Sequence, residues 1–164
     1  DRPRYQRTRD AKGLYALDNL WDGLGALIVQ NPDKEYFFGK VTMYGHYDPE
    51  ARNTLIYFLR KYFPDPDELL EPLSPVPMSI NNAHMEKIFT GGSYDEDYKI
   101  MVRELRKKDE FVPPLINSYM SLSPSMRVFD TVQNSDFGEV EETGILIKIS
   151  DIYPNKMERH VKGI

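Results

Sequence analysis

The 164-residue chain contains no cysteine, which excludes a disulfide framework, a thiolate metal site and a cysteine nucleophile. No stretch approaches the ~18 consecutive apolar residues of a membrane-spanning helix, and the opening DRPRYQRTR lacks the apolar core of a secretory signal. Positive charge is in deficit. The 21 Lys and Arg against 26 Asp and Glu leave a formal charge of -5, so the global electrostatics do not support a nucleic-acid partner, and any anion site has to be local. His84 and His160 have no companion at metal-ligand spacing, so no zinc site is expected. No internal repeat is visible.

The 40% hydrophobic fraction matches an ordinary globular domain, so one domain with its own core is expected over residues 1–164. Leu14, Leu17, Leu20, Trp21, Leu24, Leu27 and Ile28 recur at spacings of three and four, which predicts a helix from Leu14 to Ile28 with one buried face. Gly23 and Gly25 lie inside it, where each would permit close approach to a strand. Glu35 to Tyr44 is rich in aromatic and β-branched residues and reads as a strand, with Gly39 as a bulge position. Asp48-Pro49 then supplies an N-cap and a first-turn proline for a second helix, whose buried stripe is Ala51, Leu55, Ile56, Leu59, Tyr62 and Phe63.

Residues 64–79 carry Pro64, Pro66, Pro72, Pro75 and Pro77 and should run extended, with at most one helical turn around Leu69. The wider 64–93 stretch reads as an ordered loop or lid. Ser93 to Glu96 is a capping-box pattern for a third helix that ends in Arg103, Arg106, Lys107 and Lys108. The last third reads as strands over Leu115 to Leu122, Arg127 to Val132, and Gly144 to Ile149. Helices alternating with strands predict an α/β layer built on a mixed sheet.

Three clusters are candidates for chemistry. The first 13 residues hold Arg2, Arg4, Arg7, Arg9 and Lys12 against Asp1 and Asp10. They read either as a solvated basic segment or, because they lead into a helix N-terminus, as a phosphate site. Neither a Walker loop nor a dinucleotide fingerprint is present, since only Gly13 is available. His46, flanked by Tyr44 and Tyr47, follows the strand. A lone turn histidine is commonly structural, yet strand ends in α/β sheets are where ligands sit. Glu139, Glu141 and Glu142 read as a solvated hairpin tip, or one of them as a base. Trp21, Phe37, Phe38, Phe58 and Phe63 are expected in the core.

The stretches RPRYQ, GLYALDNLWDGLGALIVQNP, YFFGKVTMYGHYDPEARNTLIYFLRKYF and GILIKISDI together resemble the C-terminal half of the GNAT acyltransferase superfamily. The nearer resemblance is to its hemolysin-like N-acyltransferases, related to the ornithine-lipid and glycine-lipid enzymes. The resemblance implies transfer of a fatty acyl group from an acyl-carrier-protein or CoA thioester to a small primary amine, without a metal, in aminolipid synthesis. It places Gln6, Arg7, Thr8, Arg9, Lys12, Gly13 and Leu14 around the donor's pyrophosphate or phosphopantetheine. The family pattern Gln/Arg-x-x-Gly-x-Gly/Ala is replaced here by QRTRDAKG, which suits a donor held partly by side-chain charge. His46, or Tyr44 through a water, would deprotonate the amine, and Tyr57 would protonate the leaving thiolate. The chain opens without a Met, and the resemblance implies that the fold's first strands and helices precede Asp1 or come from a second chain. A cytoplasmic location follows, with peripheral contact at the inner membrane face. The rival reading is a non-catalytic module whose Pro-rich and Arg-rich segments bind a protein or a lipid head group.

Overall fold

The computed structural model describes residues 20–160. The elements are α1 (helical residues 20–30), β1 (Tyr36–Met43), α2 (Pro49–Tyr62), α3 (Asn82–Ile88), α4 (Tyr94–Arg106), α5 (Pro114–Met120), β2 (Arg127–Asn134), β3 (Val140–Lys148) and α6 (Pro154–His160). This is the expected mixed α/β layering, and the pairings among the described strands are antiparallel in the order β1-β3-β2. One sheet face is covered by helices. Val41, Met43, Val128, Ile145 and Ile147 meet Leu55, Ile56, Phe58 and Leu59 of α2, Met101 and Leu105 of α4, and Ile116 of α5 in one buried cluster.

The local signals explain the better-defined helices. The Asp48 carboxylate accepts from the backbone N–H of Glu50 (2.9 Å) and Ala51 (3.0 Å), while Pro49, whose missing N–H costs nothing in a first turn, opens α2. Ser93 caps α4 by accepting from Glu96 N–H, with Asp95, Glu96 and Asp97 at the dipole's positive end.

Five readings are corrected. Leu115 to Leu122 is not a strand, because Pro114 sits in the first turn of α5 and Ile116 and Met120, four apart, share its buried face. Phe38 is not core: it stands on the sheet's other face and is 64% exposed. Glu141 and Glu142 are not a solvated tip, since both lie inside β3. Gly39 is not a bulge, as β1 pairs with β3 in unbroken register from Tyr36↔Lys148 to Met43↔Glu141. The register irregularity falls in β2 instead, between Val128 and Thr131, where it brings Phe129 against Gly144. Of the α1 glycines, Gly25 is buried but Gly23 is exposed with open space around it, so only Gly25 faces a neighbour. The Pro-rich stretch carries a turn at residues 66–67 and no helix around Leu69, and α3 follows it.

Gly39 serves a different purpose. A Cβ there would lie 2.8 Å from the Tyr119 hydroxyl, and Tyr119 is fixed edge-on against Trp21 with ring centroids 5.3 Å apart. Gly39→Ala is therefore expected to cost about 1–3 kcal/mol as an overpacking change, measured in urea by the fluorescence of the single tryptophan. In a Tyr119→Phe background most of that cost should vanish, because the nearest ring carbon lies at an ordinary 3.5 Å. A cost unchanged by Tyr119→Phe would show that the close approach is not the cause.

One polar anchor is buried in the interior. Asp97, wholly inaccessible on α4, accepts from Lys61 Nζ (2.6 Å), the Tyr62 hydroxyl (2.7 Å) and Gly91 N–H (2.8 Å), so one carboxylate ties α2, α4 and the loop between α3 and α4. Burial opposes its charge, but the three donors outweigh it and hold the carboxyl below the usual range. Gly91 must lack a side chain, because a Cβ would lie 2.8 Å from the carboxylate and 2.6 Å from Glu96 Cβ.

Candidate active site

The turn after β1 brings Tyr44 and His46 together, with their exposed rings nearly parallel at 9° and their centroids 5.9 Å apart. Several bonds hold this turn. Tyr47 N–H donates to Tyr44 C=O (2.9 Å), the Tyr47 hydroxyl donates to Phe111 C=O (2.8 Å), and Asp48 N–H donates to the Glu110 carboxylate (3.1 Å). Lys108 pairs with Glu50 on the neighbouring first turn of α2. Burial, reinforced by the Glu110 and Asp48 carboxylates, pushes the Tyr47 phenol far up, so this hydroxyl stays protonated and acts as a donor.

The turn also abuts the β2–β3 tip, where a Cβ on Gly45 would sit 3.8 Å from Glu139 C=O. Glu139 itself adopts φ 52, a left-handed conformation that a glutamate holds at some cost. Behind the turn, Arg52 of α2 binds Glu141, which lies opposite Met43 in the sheet, so strand, turn and helix are clamped to β3. Glu142 points to the opposite face and binds Lys40 (2.7 Å) and Asn134 (3.1 Å). Lys40 chiefly holds its carboxyl below the usual range. Two adjacent carboxylates thus have separate cationic partners, and Glu139 is the acidic residue of the trio left next to the turn.

The structure places the sequence-derived residues unevenly. Tyr44 and His46 are brought together. Tyr57 is not with them: it lies ~13 Å along α2 from the Asp48 cap at helical rise, stacked on Phe89 at 5.3 Å. Gln6, Arg7, Thr8, Arg9, Lys12, Gly13 and Leu14 lie outside the described residues. Sequence reasoning missed the Arg52–Glu141 clamp and the Glu110–Phe111 support. Their one local signal was the charged composition of α2 and of the 107–111 segment, and the pairing itself is long-range.

A groove of about 420 Å³ lies on the sheet's helix-free face, between Phe38, Phe129 and Val132 on one side and Leu70 to Ser74 on the other. Among the described residues no group of three or more acidic or histidine side chains is arranged to hold a metal ion, and no helix is long and apolar enough to cross a membrane.

No family model and no solved structure matches the chain. Two curated proteins do, both named glycine N(alpha)-acyltransferase. One, from Phocaeicola vulgatus, is 51% identical over 160 residues, which is 97% of this chain and 49% of that protein. The other, from Bacteroides thetaiotaomicron, is 50% identical over 159 residues, covering 96% of this chain and 47% of that protein. The chain spans about half the length of the curated relatives it matches, and along nearly all of its own length it is similar to proteins named for N-acyl transfer to glycine.

Proposed function

We propose that this chain forms part of an N-acyltransferase that moves a fatty acyl group from an acyl-carrier-protein or CoA thioester to the amino group of glycine. The observation that carries the reading is 51% identity over 160 residues to a glycine N(alpha)-acyltransferase. In the reaction, the glycine nitrogen attacks the thioester carbonyl, a C–N bond forms, the C–S bond breaks, and the thiolate leaves. The amine must shed a proton to a base, and imidazole is suited to accept one near neutral pH. His46 is exposed on a turn braced by Tyr47, Asp48 and the Arg52–Glu141 clamp, which supports the role of proton acceptor for it, with the Tyr44 ring alongside. We assign the donor's phosphates to Arg7, Thr8, Arg9 and Lys12, from the resemblance and from their place ahead of a helix on an acidic chain.

The product would be an N-acylglycine amphiphile. The test is a chimera in which this chain replaces the matched 160 residues of the Phocaeicola vulgatus protein. Formation of N-acylglycine from labelled glycine and an acyl thioester is expected, at a rate within about tenfold of the parent. A folded chimera that binds the donor but forms no amide would overturn the reading.

A further inference from the structure

We propose that Arg52 and Glu141 are positioning residues for His46: their ion pair sets the spacing between the two feet of the turn that carries the imidazole, a role that rests on the acyl-transfer reading. Met43 is the last residue of β1 and Asp48 caps α2, so residues 44–47 hang between a strand and a helix. Glu141 is the register partner of Met43, the end pair of the β1–β3 ladder. Arg52 stands one helical turn beyond the cap, and its backbone N–H donates to Asp48 C=O (2.9 Å). The guanidinium–carboxylate bond therefore joins one foot of the turn to the other, through one strand pair and a single turn of helix. The outer bonds, from Tyr47 to Phe111 and from Asp48 to Glu110, fasten the helix-side foot.

Stability alone does not explain the pair. Its side chains are 12% and 17% exposed, so both charges have given up most of their water. A pair in that setting adds little net stability over apolar side chains of the same length, because the cost of desolvation offsets the attraction. What it adds is geometry. Nη1 of Arg52 donates to Glu141, Nε (3.2 Å) and Nη2 (3.1 Å) both donate to Asn53 Oδ1, and Asn53 Nδ2 donates to Ser79 C=O (3.4 Å). The planar fork is thus held at three nitrogens, which a lysine ammonium cannot reproduce. The Lys40–Glu142 pair, with its lysine 58% exposed, has no such fork.

His46 needs such a frame. Its exposed ring lies parallel to that of Tyr44, and among the described residues no side-chain hydrogen bond steadies the imidazole, so the backbone of the turn decides where the ring stands. A proton acceptor displaced by about 1 Å from its reacting partner loses on the order of 10²-fold in rate.

The test replaces both charges by apolar side chains of similar length, since deleting one would leave the other buried without a partner. In the chimera with the Phocaeicola vulgatus protein, the Arg52→Met and Glu141→Met double variant is expected to melt within about 3 °C of the parent, to keep KM for glycine within about threefold, and to lose about 10–100-fold in kcat. Arg52→Lys, which keeps the charge but not the fork, should fall between the two. The nuclear Overhauser contact between the ring protons of Tyr44 and His46 should be present in the parent and lost in the double variant. Parental kcat in a folded double variant overturns the inference. So does a fall in kcat with the ring contact intact, which would make the pair a scaffold element. If the double variant does not fold, Arg52→Lys decides: lower kcat with a weakened ring contact supports the role, and parental kcat or an intact contact overturns it. A folded chimera that binds the donor but forms no amide overturns the acyl-transfer reading, and the ring contact then decides separately: its loss in the double variant supports the positioning role, and its persistence overturns it.

Discussion

Replacing His46 with glutamine in the chimera is expected to lower turnover by about 10²–10⁴-fold, the range for removing a positioned base, while the protein stays folded. Glutamine keeps hydrogen-bonding capacity at similar size but cannot accept a proton near neutral pH, so the substitution isolates proton transfer from shape. His46 is exposed and its turn is held by bonds from Tyr47, Asp48 and Arg52, none of which involves the imidazole. Stability should accordingly change by less than about 1 kcal/mol. Rates measured with saturating glycine between pH 5 and pH 9 should also lose their acidic limb. If the variant retains that limb and stays within a few-fold of the parent, His46 is only a turn residue, and proton acceptance moves to Tyr44, to Glu139 beside it, or to a group outside this chain.

Asp97→Ala should be strongly destabilising, at about 2–5 kcal/mol, because the buried donors around it lose their shared acceptor. Lys61 is partly exposed and can turn to water, so the loss falls mainly on the Tyr62 hydroxyl and Gly91 N–H, left without their acceptor in the interior. Against a typical total of about 5–15 kcal/mol, this brings the chain near unfolding. The pH dependence follows from the direction of the shift. Because the folded carboxyl titrates below its unfolded value of 3.8, its contribution is complete above that value and is lost as pH falls through the folded one. Urea midpoints should therefore drop in acid for the parent, with a shallower drop in Asp97→Asn. Parallel curves for the two proteins would locate the acid sensitivity elsewhere, with Glu142 the next carboxyl to test.

Legibility in the sequence followed the range of the interaction responsible. α2 and α4 could be read because their caps are local: Asp48 and Ser93 bond groups two or three residues away. β1 could be read because its β-branched and aromatic content is uncommon in a helix of that length. α5 reads as a strand because its hydrophobic content over seven residues suits one, whereas Pro114 in the first turn decides for a helix. Glu141 and Glu142 read as a solvent-facing tip because adjacent carboxylates rarely enter a sheet. They do so here on opposite faces, each met by a cation about ninety to a hundred positions away, Arg52 and Lys40. Asp97 stands in the first turn of α4, where acids suit the helix dipole, and nothing local distinguishes that role from a buried anchor. At the candidate site, the pairing of Tyr44 with His46 was visible as neighbours in sequence, whereas the support beneath them comes from residues 110–111 and 141.

The strand order carries a consequence for how the chain reaches this structure. β3, the last of the described strands in chain order, lies between the other two, and β1 and β2 do not bond to each other. When Met43 has left the ribosome, its strand waits nearly a hundred residues for β3, and β2 bonds Phe63 and the Pro-rich segment before β3 appears. The sheet therefore cannot zip up from one end as a string of hairpins. It closes in a late step dominated by distant contacts, which is slow relative to the helices and exposes the apolar strands meanwhile. A stop codon placed between Asn134 and Val140 would remove the strand that joins β1 to β2, leaving α2 and α4 packed together with no joined sheet to cover.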